Sequence, residues 1–382
     1  MDLWLDEEQE ALRQTVEDFA RKEVAPVIGG FYEREEFPYD LVAKMGRMGL
    51  FGLPVSEEYG GMGGDYTALC IALEELGRVD SSVAITLEAG VSLGLMPIYR
   101  FGTDEQKARW LPDLVTAAKL GAFGLTEPGG GSDAGATRTT ARLDGDEWVI
   151  NGSKSFITNS GTDVTSLVTV TAITGERDGG KKEISAIVVP SGTPGFSVAP
   201  KYSKVGWNAS DTHELSFDDC RVPAENLLGE RGRGYAQFLS ILDEGRIAIA
   251  ALGTGLAQGC VDESVRYAHE REAFGQPIGS YQAIQFKIAE METRAHTSRL
   301  AWYAAAAKMQ AGKPFKKEAA IAKLVSSNAA MDNSRDATQI FGGYGFMNEF
   351  PVGRFYRDAK ILEIGEGTSE VQKMLIARQL GL

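Results

Sequence analysis

The spacing of apolar residues changes twice along the chain, and this change limits the fold more than any other feature. Residues up to about 120 and from about 235 onward follow helical spacing, whereas short strand patterns fill the segment between them. Those patterns, for example at 147–150 and 184–189, are separated by turn sequences such as Asp144-Gly145, Asn151-Gly152 and Gly179-Gly180. Such short spacing leaves no room for crossover helices, so the middle segment is predicted to be an antiparallel sheet or barrel.

The helical parts can be divided further. A capping box at Asp6 and Gln9 begins a first helix that is expected to end at Pro26, and a capped helix from Thr103 is expected to end before Pro112. Further helices are predicted at about 66–77, 84–101, 235–272, 281–311, 316–341 and 369–380. The predicted fold class is therefore α+β and mainly α, with a helical domain at 1–120, a β domain at 121–229 and a helical domain at 230–382.

Composition excludes several classes of function. A net charge of −14 argues against general nucleic-acid binding. The three cysteines have no metal spacing and cannot all pair, which favours a reducing compartment, and the three scattered histidines give no support for a metal site. The acidic N-terminus does not resemble a signal peptide, and the apolar stretch at 247–257 is too short to span a membrane. We expect a cytoplasmic protein, or a matrix protein whose transit peptide has been removed.

One loop near the C-terminus combines a carboxylate with glycines and hydroxyl groups: Gly365-Glu366-Gly367-Thr368-Ser369-Glu370. The glycines permit unusual backbone angles beside Glu366 and a close approach by a flat ligand. Thr368 or Ser369 can cap the next helix, whose N-terminus suits an anion. The loop can therefore present a general base beside an anion site, although a solvated Glu beside an ordinary cap explains the same residues.

Two further segments could cover a planar ring. Residues 123–133 contain Pro128, three consecutive glycines and the hydroxyls of Thr126 and Ser132, and residues 156–159 add an aromatic ring and a second pair of polar groups. Gly253-Thr254-Gly255 lies in an alanine-rich helical stretch with no preceding strand, so a Rossmann fingerprint is not supported. The alternative reading of both segments is two ordinary loops of a β domain.

Taken together, these motifs resemble those of the acyl-CoA dehydrogenase family over essentially the whole chain. The matching signatures lie at residues 57–65, 101–112, 125–133, 151–159, 243–246, 271–275, 339–343, 357–358 and 365–370. The resemblance implies a helical domain, a β-barrel domain and a C-terminal four-helix domain in a homotetramer. It also implies noncovalently bound FAD, an acyl-CoA substrate and electron-transfer flavoprotein as the electron acceptor, with no nucleic acid and no membrane as partners.

The resemblance carries specific roles onto residues of this sequence. The flavin would be lined from the β domain by Phe123, Leu125, Thr126, Gly131, Ser132, Phe156 and Thr158. Thr368 and Glu370 would hold it from the terminal loop, and contacts across a subunit interface would come from Arg271, Phe274, Gln282, Gln339 and Gly343. Arg271 suits a pyrophosphate because its guanidinium can pair with one in bidentate fashion. The substrate would be contacted by Ser132, Asp243, Arg246 and Gly367.

In the same family the residue at the position of Glu366 removes the α-proton of the thioester, and the β-hydrogen leaves as hydride to the flavin. The enolate-like charge is stabilised by the base residue's own N–H and a ribityl hydroxyl, which follows the logic of an oxyanion hole. This chain departs from common family patterns at Gly365, where many relatives carry a bulkier residue, and at Phe156, where tryptophan is common. The alternative base position of some relatives is Gly245 here, so we interpret Glu244 as structural.

Other functions on this scaffold remain as alternatives: an oxidase, a hydroxylase, or a non-catalytic helical binding protein. Acyl-CoA oxidases tend to be longer, nitroalkane oxidases have Asp at the position of Glu366, and the hydroxylases generally lack the Gly-Glu-Gly sequence. Residues 81–99, which line the acyl pocket by resemblance, contain Glu88 but no Lys or Arg, which favours a neutral acyl group. We expect Glu88 to be solvated or hydrogen-bonded, and the acyl group to be short or branched-short.

Overall fold

The fold places a sheet between two sets of helices. The computed structural model describes residues 5–382, so residues 1–4 of the acidic N-terminus lie outside the described part. The first helices are α1 (Glu7–Phe19), α2 (Ala25–Arg34), α3 (Tyr39–Arg47), α4 (Tyr66–Gly77), α5 (Ser81–Glu88), α6 (Met96–Phe101) and α7 (Asp104–Val115). The strands that follow are β1 (Leu120–Gly124), β2 (Thr140–Asp144), β3 (Glu147–Thr158), β4 (Thr165–Arg177), β5 (Lys181–Pro190), β6 (Phe196–Val198), β7 (Thr212–Pro223) and β8 (Leu227–Leu228). The chain continues with α8 (Gly234–Glu270), the short strands β9 (Glu272–Ala273) and β10 (Gln276–Pro277), α9 (Gln282–Gln310), α10 (Lys316–Phe341), α11 (Pro351–Leu362) and α12 (Ser369–Gln379). The predicted α+β class is confirmed.

The sheet is mostly antiparallel, with strand order β6-β7-β3-β2-β4-β5-β8. β1 pairs with β4 in parallel, and β2 makes one parallel pair with the same strand, which the turn spacing did not predict. The long connection from β1 to β2 explains the difference, since only tight hairpins force neighbouring strands to be antiparallel. Asn151-Gly152 was read as a turn, but Gly152 lies inside β3, where the register with β7 shifts and its φ is +147°. The glycine allows a bulge there.

Both prolines that were expected to end helices lie inside them. The first helix continues past Pro26 because residues Ala20–Val24 form a wider π turn, after which Pro26 occupies the first turn of α2. Pro112 lies within α7, one turn before its end, where the missing N–H removes only one hydrogen bond. The capping boxes at Asp6 and Thr103 are confirmed.

The stretch Ser81–Phe101 is helical throughout and widens into a π turn over Ala89–Leu95. It is long and apolar enough to cross a membrane by length and composition, but 94% of its most apolar window is buried inside the protein. A helix that is apolar on all sides is typical of a protein core as well as of a membrane span. Here it packs against α8 and β1 and carries Glu88 into the interior.

A buried carboxylate connects the three parts of the chain. Asp358 on α11 accepts hydrogen bonds from Tyr32 Oη at 2.6 Å, Ser81 Oγ at 2.8 Å and the Trp207 backbone N–H at 2.7 Å. Burial raises the pKa of Asp358 to about 6. Because its partners come from α2, α5 and the segment before β7, this one side chain fixes the sheet against both sets of helices.

Candidate active site

The Gly-Glu-Gly loop lies between α11 and α12 in an unusual backbone conformation. Glu366 has a φ of +51°, which is rare for a residue with a side chain, and Gly367 follows at +92°. The Gly365 N–H donates to the Ile361 carbonyl at 2.7 Å, and Thr368 Oγ1 accepts from the Val371 N–H at 3.2 Å, which caps α12 as predicted. The loop is therefore held at both ends while Glu366 is turned away from the helical path.

The carboxyl group of Glu366 points into the protein at a glycine of α8. Its Oε2 atom is sealed from solvent, and among residues 5–382 no N–H or alcohol group donates a hydrogen bond to it. A Cβ atom built on Gly245 would lie 2.7 Å from this oxygen, closer than side chains approach in practice. The missing side chain at position 245 thus makes the space that the Glu366 carboxyl occupies.

A second carboxyl group faces the same point. Glu88 is 0% exposed, and the same Cβ on Gly245 would lie 3.7 Å from Glu88 Oε1. Glu88 was expected to be solvated or hydrogen-bonded; the first alternative is wrong, because α5 is buried on all sides. Burial raises the pKa of Glu88 well above its ordinary value, and the negative charge of Glu366 raises it further. Two neighbouring carboxylates do not both ionise easily, so the pair favours sharing one proton, and the upward shift of the Glu88 pKa favours placing it on Glu88.

Glu366 also has a raised pKa, for which burial is the main cause. Hydrogen bonding from Glu88 and the positive charges of Lys323 and Arg246 oppose that rise. A carboxyl in this setting is a stronger base than one in water, yet the two cations favour its ionised form. These are the properties that a general base needs near neutral pH.

Two buried cations lie beside the carboxyl pair. Arg246 on α8 is 4% exposed, pairs with Asp243 one turn earlier, and keeps its Nε without a partner within residues 5–382. Lys323 on α10 is 0% exposed and donates to the Gly367 carbonyl at 2.8 Å. Glu244 points elsewhere and pairs with Arg100 at 3.2 Å, consistent with its structural interpretation.

The glycine-rich loop after β1 is supported by a buried ion pair. Lys154 Nζ donates to Glu127 Oε1 at 2.8 Å and to the Leu125 carbonyl at 3.3 Å. Glu127 in turn accepts from the N–H groups of Arg138 and Thr139. Burial lowers the pKa of Lys154 to about 8, and the pairing with Glu127 opposes that change. The pair fixes the start of the loop on the sheet.

The residues predicted to line a flavin differ in how far they are exposed to solvent. Phe123 and Leu125 are buried, and the Phe123 ring stacks on Phe238 with centroids 3.9 Å apart. Thr126 and Thr158 are half-buried, and Gly131 and Ser132 are exposed. Phe156 is 67% exposed and has a φ of +62°. An aromatic face presented outward, with hydroxyl groups beside it, fits a planar ring that has a polar edge.

A third predicted set lies on a different surface. Arg271, Phe274, Gln282, Gln339 and Gly343 are all exposed, and Phe274 is 98% exposed. The Arg271 guanidinium carbon lies 6.0 Å from the centre of the Tyr344 ring, which places it beside Gly343. Gln339 and Lys323 are separated along α10 by about 24 Å at the usual helical rise. Within one chain these residues are therefore not joined to the pocket of Glu366.

The sequence did not identify Lys323, Lys154 or Gln372 as parts of the site. It drew attention to Glu88 but indicated no role for it beside Glu366. Each of the four is a polar residue with an exposure of 0%. A signal was present for Lys323, which follows Ala319-Ala320-Ile321-Ala322 on a predicted helix and so falls within its small-residue packing face. No pattern in the sequence, however, indicated which carbonyl or carboxylate these side chains reach.

Comparisons with known proteins agree on one family. The three domain models described as acyl-CoA dehydrogenase N-terminal, middle and C-terminal domain match residues 6–129, 122–220 and 232–381. A short-chain specific acyl-CoA dehydrogenase of Clostridium acetobutylicum is 45% identical over 380 residues, covering 100% of both chains.

Solved structures show the same likeness. The butyryl-CoA dehydrogenase of Megasphaera elsdenii superposes with a TM-score of 0.96 at 42% identity, covering 100% of both chains. A chain from work on the electron transferring flavoprotein of Acidaminococcus fermentans superposes with a TM-score of 0.96 at 43% identity, covering 100% of this chain and 99% of that chain.

Proposed function

Because the chain belongs to the acyl-CoA dehydrogenase family, we propose that it converts a short or branched-short acyl-CoA thioester to the trans-2-enoyl-CoA, with Glu366 as the base. The observation that supports this most strongly is the position of the Glu366 carboxyl. Its Oε2 is buried, no N–H or alcohol group within residues 5–382 donates to it, and it faces a glycine that leaves it room. A buried carboxyl oxygen without such a donor is costly to keep, which suggests that it acts on a ligand.

In the proposed reaction Glu366 removes the α-proton of the thioester. Protonated Glu88 leaves a single negative charge in the pair, and Lys323 and Arg246 keep that charge on Glu366. The backbone N–H of Glu366 has no acceptor within residues 5–382, so it is free to donate to the thioester oxygen as negative charge develops there. The base and one oxyanion donor thus come from the same residue.

The residues around the glycine-rich loop fit FAD. Phe123, Leu125, Thr126, Gly131, Ser132, Phe156 and Thr158 would line the ring, with Thr368 and Glu370 near the terminal loop. When bound, the flavin would accept the hydride that leaves the β-carbon. Noncovalent attachment is part of this proposal, and so are contacts from Arg271, Phe274, Gln282, Gln339 and Gly343 of a second subunit.

The preference for a short acyl group has structural support. Near Glu88 the side chains of Tyr66 and Ser92 are buried, at 5% and 1% exposure, and hydrogen-bonded to each other at 2.8 Å. Residues 81–99 offer no cation for a distal carboxylate. The relative from Megasphaera elsdenii is a butyryl-CoA dehydrogenase, which agrees with a four-carbon group. We place the CoA portion near Ser132, Asp243, Arg246 and Gly367.

The remaining assignments are also proposals. Large exposed side chains such as Phe274, Phe286 and Phe346, at 98%, 61% and 90% exposure, support assembly into a homotetramer. We propose electron-transfer flavoprotein as the acceptor, a cytoplasmic location or a matrix location after removal of a transit peptide, and domain boundaries at 1–120, 121–229 and 230–382.

Anaerobic titration of the FAD-loaded protein with straight, branched and cyclic CoA thioesters tests the function. We expect butyryl-CoA or a close branched relative to bleach the flavin absorbance stoichiometrically, and longer chains to react more slowly. A yellow protein that no thioester bleaches would point to another flavoenzyme of this fold. A protein that binds no flavin would favour a non-catalytic helical protein.

A further inference from the structure

We propose that Lys323 is a positioning residue for this reaction: its ammonium group holds the Gly367 carbonyl and keeps the neighbouring Glu366 carboxylate ionised. This inference rests on the proposed function, because it assigns Lys323 a role through Glu366. The residue lies on α10, outside every sequence motif that pointed to the site.

The first observation is geometric. Lys323 is 0% exposed, and its Nζ donates to the Gly367 carbonyl at 2.8 Å. The same carbonyl accepts from Gln372 Nε2 at 2.8 Å, and Gln372 Nε2 also lies 3.4 Å from the Glu366 carbonyl. Two side chains from two helices, α10 and α12, therefore converge on the backbone directly after the proposed base.

The second observation is the charge. An ammonium group is costly to bury, and within residues 5–382 the hydrogen bond of Lys323 Nζ goes to a neutral group, the Gly367 carbonyl. Burial lowers the pKa of Lys323 to about 8, and the negative charge of Glu366 opposes that change. A neutral donor would hold a carbonyl at a smaller desolvation cost, as Gln372 does. The positive charge therefore has a second use, which is to stabilise the Glu366 carboxylate.

The other charged groups near the pair do not replace this effect. Arg246 on α8 also favours ionised Glu366, but it is already paired with Asp243. Burial and the negative charge of Glu366 raise the pKa of Glu88 on α5, which disfavours its ionised form. Glu363, directly after α11, and Glu370 on α12 act on Lys323 and raise its pKa. Among these groups, Lys323 is the cation near Glu366 with no acidic partner of its own.

The test compares two substitutions in the FAD-loaded protein, Lys323→Met and Gln372→Met, each of which removes one donor to the Gly367 carbonyl. The rate constant for flavin reduction by butyryl-CoA is measured against pH by anaerobic stopped flow. The activity requires ionised Glu366, so the rate falls as pH drops through the pKa of that carboxyl. This fall is the acid limb of the pH–rate profile. We expect Lys323→Met to shift the acid limb to higher pH by about one unit or more, so that at a given pH on the limb the rate is about tenfold lower.

The control separates the effect of the positive charge from that of the hydrogen bond to the Gly367 carbonyl. Gln372→Met should lower the plateau rate while leaving the acid limb at the wild-type pH, and Lys323→Arg should restore the wild-type limb. Equal acid limbs in Lys323→Met, Gln372→Met and the wild type would overturn the proposal. If Lys323→Met does not fold, Lys323→Gln takes its place with the same expected shift, since it keeps a donor without the charge.

A second readout does not depend on turnover. Infrared difference spectra of the oxidised holoprotein report the C=O stretch of protonated Glu366, which is identified by its loss in Glu366→Gln. This band should titrate at higher pH in Lys323→Met than in the wild type, and an unchanged titration would again refute the role of Lys323. If no thioester bleaches the wild type, the proposed function fails while this titration still decides the inference.

Discussion

Replacing Gly245 with alanine tests the geometry of the site with one methyl group. The added Cβ would lie 2.7 Å from Glu366 Oε2, whereas ordinary contacts begin at 3.4 Å. The carboxyl must therefore move by about 0.7 Å or rotate away. A displacement of about 1 Å at a reacting group can slow a reaction about 100-fold. We expect butyryl-CoA to reduce the flavin of Gly245→Ala about 10- to 100-fold more slowly than that of the wild type.

The loss should come from position rather than from instability. Gly245 lies inside α8, and alanine in a helix interior is more stable than glycine by about 0.5–1 kcal/mol. This gain offsets part of the contact strain, so the thermal midpoint should stay near the wild-type value. FAD content, thermal midpoint and anaerobic reduction rate are measured on the same preparations.

Gly253→Ala is the matched control on the same helix. Its added Cβ would meet Ser326 Oγ at 3.3 Å, a mild contact that a side-chain adjustment relieves. We expect its reduction rate to stay within about twofold of the wild type. If Gly245→Ala reduces flavin as fast as Gly253→Ala, the Glu366 carboxyl is not confined against α8 and the argument fails.

Three further predictions concern the surroundings of the site. Because Glu88 has a raised pKa in the folded state, the unfolded state loses this proton first, and the free energy of unfolding should fall as pH rises above the ordinary Glu value. Glu88→Gln should remove that fall in thermal unfolding curves; identical pH dependence in both proteins would refute the assignment. Lys154→Met should lower the free energy of unfolding by about 3–5 kcal/mol because it leaves Glu127 buried and unpaired, and adding Glu127→Gln should recover most of the loss in chemical denaturation. Arg271→Ala should weaken FAD retention during dialysis and tetramer stability, whereas unchanged flavin content would count against its proposed contact.

The sequence predicted the order of elements well where local signals were strong. Helix α4 begins at Tyr66 and ends at Gly77 as expected, and α8, α9, α10 and α12 lie within two residues of their predicted bounds. Helix α11 was not predicted. The helix ends predicted at Pro26 and Pro112 were wrong, because proline is tolerated after a π turn, in the first turn of α2, and in the last turn of α7. The parallel pairing of β1 with β4 depends on tertiary contacts that no local pattern records.

The candidate site was predictable in part for a similar reason. Glu366 could be identified because its glycines and cap are consecutive in sequence. Glu88, Gly245 and Lys323 come from three helices far apart in the chain, and their meeting depends on how α5, α8 and α10 pack. The apolar residues around Glu88 on α5 could have indicated that its side chain is buried, but no pattern indicated that it faces another carboxyl.

The central claim is that Glu366 removes the α-proton. The most direct measurement is the rate of anaerobic flavin reduction by butyryl-CoA in FAD-loaded Glu366→Gln, with thioester binding measured on the same protein. The account predicts retained FAD, retained thioester binding and a rate at least about 100-fold below the wild type, in line with the loss of a general base. A rate within tenfold of the wild type, with binding intact, would contradict the claim.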